Sequence, residues 1–310
     1  MTTPANPTGR RERIQALGFD YPSQPRVEVA GCNLCGSAAF TIVTHRDRYG
    51  YPAEAHGCRR CGLVFLNPVM TADAYASFYV RTYRPLVSAY HGRLIDARTI
   101  QSEQREYAVE RGDVLAPFLT TGRGLRMLDI GGSTGVVSHA WARRFGLQAT
   151  VLDPAPLETA EAQALGLETI EGLVERHDFG ARRFDVIVMC QTIDHLLDVS
   201  GTLRRVRELI ADDGLFFVDI VDFRAAYLRN ASVEAAIKID HPYYLVESTV
   251  EAYLARAGFE TLRADYAADH LHVGYVCRPS APRPEAMPAA ARVDALWREI
   301  RFVQNAPRHQ

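Results

Sequence analysis

Between residues 125 and 278, apolar runs of strand length alternate with stretches of helical period, and this alternation restricts the chain more than any other feature. LRMLDI (125–130), ATVLD (149–153), a short run at 168–171, FDVIVMC (184–190) and LFFVDIV (215–221) read as strands, with helices at 136–145, 155–165 and 199–210. Strands and helices in regular alternation bury their apolar faces together as a parallel sheet covered on both sides, so the expected class is α/β, doubly wound. A helix over 248–257 and two runs at 259–267 and 271–278 predict a closing hairpin. RPSAPRPEAMP (278–288) reads as a linker. Beyond it, Val293, Leu296, Trp297, Ile300 and Val303 recur at helical spacing and predict a tail helix that docks on this chain or pairs two copies as a homodimer.

Two places in this frame carry chemistry. LDIGGSTG (128–135) puts Asp129 at a strand end, then Gly131, Gly132, Ser133 and Gly135 ahead of a helix. Glycines there let the chain turn sharply and let a ligand approach the amides at the helix start. Asp153, 24 residues after Asp129, ends the next strand where a carboxylate accepts hydrogen bonds from ribose hydroxyls. A ribose is common to NAD and S-adenosylmethionine. The acid at position 129 favours a cationic amino acid moiety over a pyrophosphate.

The second place lies nearer the amino terminus. Cys32-Asn-Leu-Cys35 and Cys58-Arg-Arg-Cys61 are two C-x2-C turns, each followed by glycine and separated by 22 residues. Four thiolates on two such turns fill a tetrahedral Zn²⁺ site and leave no open position, so the expected metal is structural. His45 and His56 between the turns read as surface or packing residues, and Cys190 and Cys277 as small buried side chains. Thirty-five basic and 37 acidic residues give a net charge of -2, which supplies no field for holding a phosphate polymer. No segment offers the apolar length of a membrane span, so a cytoplasmic protein is expected. Only one of the basic residues is a lysine, Lys238.

The pattern D-x-G-x-x-x-G followed by VLDP (151–154) resembles the class I S-adenosylmethionine-dependent methyltransferases, over residues 125–278. The resemblance implies a cofactor site made by Asp129, Gly131, Gly132, Ser133, Gly135, Asp153 and Pro154, with Gln191 facing the methionine part and 172–175 covering the adenine. Ser133 stands at the middle glycine position of the commoner spelling. The segment CNLCG…CRRCGLVFLNPVMTADAYASFYVRTYR (32–84) further resembles the amino-terminal zinc module of bacterial deoxysugar C-methyltransferases, which act on nucleotide-linked sugars. On that resemblance the domains are 1–95, a zinc-binding and substrate-covering module; 96–279, the methyltransferase domain; and 280–310, linker and tail helix.

In those enzymes a tyrosine from the module and histidines beside carboxylates surround the acceptor. Carried onto this chain, the candidates are Tyr79, Tyr83, His195 in TIDHL, and Asp240 with His241 in IKIDHPYY. Histidine has the pKa a general base needs near neutrality, and both Asp-His pairs follow strands at the edge where open α/β sheets bind ligands. Lys238 stands where the family carries tyrosine, as a candidate contact to an acceptor phosphate or carboxylate. The expected acceptor is a nucleotide sugar or another natural-product intermediate. The rival is an RNA base, read by the zinc module with Arg46, Arg48, Arg59 and Arg60. Asp269-His270-Leu271-His272 reads as an alternating strand with one histidine toward a pocket or solvent.

Overall fold

The computed structural model describes residues 7–119 and 124–306; residues 1–6 and 307–310 of the termini lie outside the described residues. The amino-terminal part runs α1 (Pro7–Gln15), β1 (Arg26–Val27), β2 (Phe40–Thr44), β3 (Ala55–Cys58), β4 (Val64–Leu66), β5 (Val69–Met70), α2 (Ala72–Arg81), α3 (Tyr83–His91) and α4 (Ala97–Leu115). There follow β6 (Arg126–Ile130), α5 (Val136–Phe145), β7 (Gln148–Asp153), α6 (Pro156–Ala164), β8 (Glu168–Glu171), β9 (Phe184–Met189), α7 (Val199–Leu209) and β10 (Ile210–Val221). The chain ends with α8 (Phe223–Arg229), β11 (Tyr243–Tyr244), α9 (Glu247–Ala257), β12 (Phe259–Tyr266), β13 (His272–Pro279) and α10 (Ala290–Asn305).

Seven strands form the central sheet in the order β12-β13-β10-β9-β6-β7-β8, a Rossmann-like α/β arrangement. The strands from β10 to β8 are parallel, and β13 and β12 add an antiparallel hairpin at one edge. β9 reads FDVIVM and is buried along nearly its whole length, as expected of a strand covered on both faces. The chain winds outward from β6 through β7 to β8, then returns to place β9 on the other side of β6. The loops after β6 and β9 therefore diverge at the point where strand order reverses, which opens a crevice at the carboxyl edge of the sheet.

A second sheet, β11-β4-β3-β2, carries the cysteine turns at its ends. Its outer strand, β11, comes from residues beyond the main sheet's fifth parallel strand: Tyr243 pairs with Phe65 and Tyr244 with Val64. β11 and the hydrogen bonds from Arg48 N to Ile237 O and from Leu66 N to Pro242 O thus tie the segment 237–244 to the amino-terminal sheet. α10 covers β3 from outside. A Cβ on Gly57 would lie 2.1 Å from the Trp297 ring, and one on Gly62 3.2 Å from Leu296, so both glycines are required for the helix to sit this close. Glu299 ties the helix to α8 by accepting from Tyr227 at 2.5 Å and pairing with Arg224 at 2.7 Å.

Three expectations differ from the structure. β10 begins at Ile210, immediately after α7, with an irregular register between Ile210 and Leu215, where the sequence suggested a strand from 215. Asp269 and His270 lie in a turn, His270 at φ 55°, because Asp269 caps the amides of Leu271 and His272 and pairs with the His272 ring at 2.6 Å. The arginines near the cysteine turns are not one patch: Arg59 and Arg60 are exposed on the second turn, whereas Arg48 lies over the Tyr90 ring at 3.9 Å. Among the described residues no helix is long and apolar enough to cross a membrane.

Candidate active site

The glycine loop takes its shape from left-handed backbone at Gly131 (φ 74°), Ser133 (φ 50°) and Gly135 (φ 72°). Gly131 donates to Leu152 O at 2.7 Å, which fastens the loop to the end of β7. There Asp153 accepts from the Ser133 amide at 3.0 Å and the Ala155 amide at 2.9 Å. Ser133 keeps the non-glycine position useful: its hydroxyl donates to Glu158 at 2.7 Å, and Glu158 pairs with Arg84 at 2.9 Å. Pro154 and Gln191 are exposed beside this loop, and Gln191 adopts φ 53° while its amide donates to buried Asp219 at 2.6 Å. Gly172 donates to Asp153 O at 3.1 Å, so the segment 172–175 starts next to the same carboxylate.

Asp129 does not lie open to the crevice as its strand-end position suggested. It is buried beneath Gly132, where a Cβ would come 2.6 Å from its Oδ2. Oδ2 accepts from Ser138 at 2.6 Å, and Oδ1 has no partner among the described residues. Burial pushes its carboxyl up to about 7, against the Ser138 hydrogen bond and with Asp153 adding repulsion. Burial also raises Asp153. A buried acceptor without a partner, two carboxyls waiting for positive or hydroxylic neighbours, and a loop too tight for side chains fit an adenosyl cofactor with a cationic amino acid end.

The second cluster abuts the first. A Cβ on Gly131 would meet Thr192 at 2.5 Å, and Thr192 leads into the 3-10 turn Ile193–His195. Asp194, Asp240 and His241 are only 3, 2 and 5% exposed. Tyr79, Tyr83, His195 and Lys238 are half-buried around them. His241 Nδ1 lies 2.7 Å from Asp194 and its Nε2 lies 3.2 Å from Lys238 Nζ and 3.4 Å from Asp240. Burial alone would raise Asp194, but His241, His195 and Lys238 hold it well below the usual carboxylate range. Burial drives His241 down to about 4 despite the pull of Asp194. At neutral pH the pair is therefore a carboxylate and a neutral imidazole, with Nδ1–H donating to Asp194.

His195 is held differently. Tyr79 donates its hydroxyl to Asp240 O at 2.9 Å, and His195 Nδ1 lies 2.7 Å from the Tyr79 oxygen and 2.9 Å from the same carbonyl. One hydrogen on Tyr79 and one acceptor carbonyl assign the proton to His195 Nδ1, so Nε2 carries the lone pair. Among the described residues none hydrogen-bonds to that Nε2. Tyr83 stands edge-on to Tyr79 with centroids 5.3 Å apart and completes the aromatic wall. Asp194, His195 and His241 have ligand atoms within 4.8 Å of one another, but both ring nitrogens of His241 are already engaged, Nδ1 by Asp194 and Nε2 by Lys238.

Several participants escaped the sequence reading. Asp47 accepts from the amides of Tyr49, Tyr51 and Ile239, and burial pushes it up to about 8; it anchors the 237–241 segment to the amino-terminal sheet. Tyr49 donates to Asp240 at 3.3 Å, and Tyr75 to Ile239 O at 2.9 Å. Asp219, which accepts from Tyr107 at 2.8 Å, supports the turn at Gln191. A reader of the sequence had one signal, aspartates placed in otherwise apolar strands and tight turns.

The four cysteines converge as their spacing implied. Cys32 and Cys61 sulfurs lie 3.5 Å apart, as do those of Cys35 and Cys58, and all four fall within 4.8 Å of one another. Tetrahedral ligation at a Zn–S length of 2.3 Å requires sulfurs ~3.8 Å apart, so the donor set fits zinc. The turns are built alike: Gly36 donates to Cys32 O at 2.8 Å and Gly62 to Cys58 O at 2.9 Å. His45 and His56 instead pair with Glu54. Asn33, inside the first turn, bonds Asp198, Ser200 and Tyr253, which fixes the cysteine turns to α7 and α9.

Comparison with known proteins gives a consistent family. A model described as a methyltransferase domain matches residues 100–264. The ubiquinone biosynthesis O-methyltransferase of Azorhizobium caulinodans is 28% identical over 152 residues, 44% of this chain and 60% of its own length. That of Caulobacter sp. strain K31 is 33% identical over 155 residues, 46% of this chain and 56% of its own. The chain thus spans less than two thirds of these relatives. Among solved structures, the mitomycin 7-O-methyltransferase MmcR shares the fold at a TM-score of 0.50 and 21% identity, covering 66% of this chain and 60% of that one.

Proposed function

The chain belongs to the methyltransferase-domain family, and from that premise we propose that it transfers a methyl group from S-adenosylmethionine to a small acceptor at the Tyr79–His195–Lys238 cluster. The acceptor class we infer is a nucleotide-linked sugar or a related natural-product intermediate. The observation that carries this reading is the juxtaposition of the glycine loop with the Asp194–His195 turn through Gly131 and Thr192. Bound at the loop, the cofactor would supply an electrophilic methyl on a sulfonium. Asp153 would accept from its ribose, the amides at 131–135 would line it, and Asp129 would act on its amino group by charge from beneath Gly132, not by direct contact.

On the acceptor side His195 is the base, because its Nε2 lone pair is free while His241 Nε2 is engaged by Lys238. Tyr79 holds the His195 tautomer, and Asp194 holds that of His241. Cys32, Cys35, Cys58 and Cys61 hold a zinc ion whose only task is to fix the sheet that carries β11 and the 240–244 segment. The reading keeps 1–95 as acceptor cover, 96–279 as the methyl-transfer domain and 280–310 as linker and tail helix.

The test is formation of S-adenosylhomocysteine with a panel of nucleotide-linked keto- and hydroxy-deoxysugars, beside phenolic acceptors and an RNA transcript. Turnover on a nucleotide sugar, falling about 10²- to 10⁴-fold in His195→Ala with little change in KM, supports the reading. Turnover on RNA or phenols alone, or no effect of the substitution, contradicts it.

A further inference from the structure

The basic residues of this chain are arginines at every position but one, and the exception, Lys238, sits in the acceptor cluster with its Nζ 3.2 Å from His241 Nε2. His241 is oriented in turn by Asp194 at 2.7 Å, and Asp194 is buried with Oδ1 unpartnered among the described residues. A nucleophile within hydrogen-bond reach of an imidazole that a carboxylate orients is the arrangement that activates serine or cysteine elsewhere. Here the third member is a primary amine. An arginine could supply charge at this position, but never a neutral nucleophile.

From the Asp194–His241–Lys238 alignment we propose that Lys238 is a covalent nucleophile, which captures a ketone-bearing acceptor as an imine and directs methylation to the adjacent carbon. This deepens the methyltransferase reading and rests on it. Neutral Lys238 Nζ adds to the carbonyl carbon, and a C–N bond forms as the carbonyl π pair moves to oxygen. His241 Nε2 takes the proton that Nζ loses and returns it to the oxygen, which gains a second from solvent and departs as water while the Nζ lone pair forms the C=N bond of a protonated imine. His195 Nε2 then removes a proton from the α-carbon; that C–H pair becomes the C=C of an enamine as the C=N π pair moves to nitrogen. The enamine carbon takes the methyl as its bond to the sulfonium breaks, with the bonding pair left on sulfur. Water hydrolyses the resulting iminium, returning a methylated ketone and free Lys238.

Its surroundings support the amine form. Burial lowers the Lys238 ammonium, Asp240 opposes, Arg48 adds to the lowering, and Asp194 opposes.

Acetylacetone tests this without methyl donor or acceptor, because its imine with a reactive amine collapses to a stable, ultraviolet-absorbing enaminone. Lys238 is the only side-chain amine, so intact mass and peptide mapping separate it from the α-amino group. At near-neutral pH the native protein should form the Lys238 adduct several-fold faster than N-acetyl-lysine, because burial lowers the Lys238 ammonium and His241 Nε2 stands ready to take its proton. Lys238→Arg should leave only α-amino labelling, and Asp194→Asn or His241→Gln, checked for native circular dichroism, should slow the adduct toward the reference. No adduct at Lys238 in the folded native protein, or one formed no faster than the reference and unmoved by both variants, overturns the proposal. Either failure leaves the methyltransferase reading to its own assay.

Discussion

The cofactor half and the acceptor half of this site are built in opposite ways. The cofactor half is local: Asp129, the glycine loop and Asp153 lie within one β6-α5-β7 unit, and the Ser138–Asp129 and Ser133–Asp153 hydrogen bonds close over 9 and 20 residues. The acceptor half draws Asp47 and Tyr49, Tyr79 and Tyr83, Asp194 and His195, and Lys238 to His241 from four separate stretches. What joins those stretches is the cysteine-bound sheet, through β11 on β4 and the Asp47 and Arg48 contacts to Ile239 and Ile237. A local site survives if its own unit folds. A dispersed one fails when any of its ties is cut.

The largest effect should come from cutting the proposed metal tie. Structural zinc contributes roughly 10–16 kcal/mol in small modules, so Cys58→Ser should abolish acceptor turnover, by about 10³-fold or more, while S-adenosylhomocysteine affinity shifts less than about tenfold. Equal loss of both would break the contrast. Titration should sharpen it. Asp129, raised to about 7, is protonated below that pH, and a cationic ligand favours its anion. Cofactor affinity is thus fully present above pH 7 and falls as pH drops, by about tenfold per unit at most. His241, driven down to about 4, stays neutral over the same window, so that half shows no matching step. Asp129→Asn should flatten the affinity slope in calorimetric titrations across pH 5 to 8.

The same contrast explains what could be read from sequence. β6, α5, β7, β9 and the β12–β13 hairpin announce themselves by period and glycine stops, and the structure finds them within a residue or two of the expected bounds. The Cys-x2-Cys turns and the glycine loop are equally legible, since each motif is its own geometry. β11 is two residues long and invisible to any period, yet it is what stitches His241 to the cysteine sheet. Asp47 and Tyr49 carry no motif, and only the folded chain brings Tyr49 across 191 residues to Asp240 and Asp47 across 192 to Ile239. α4 and α8 were left unassigned because α4 is largely polar and α8 only seven residues long. Asp129 was legible as a residue but not as a buried one, because burial depends on the helix packed above it.

The most direct measurement is calorimetric titration of S-adenosylhomocysteine and NAD into the native chain, Asp153→Ala and His241→Ala. The account predicts binding of the adenosyl ligand and not of NAD, weakened about 10- to 100-fold in Asp153→Ala, as loss of charge-assisted hydrogen bonds requires, and within about twofold of native in His241→Ala. No binding to the native chain, a preference for NAD, or equal loss in both variants would contradict it.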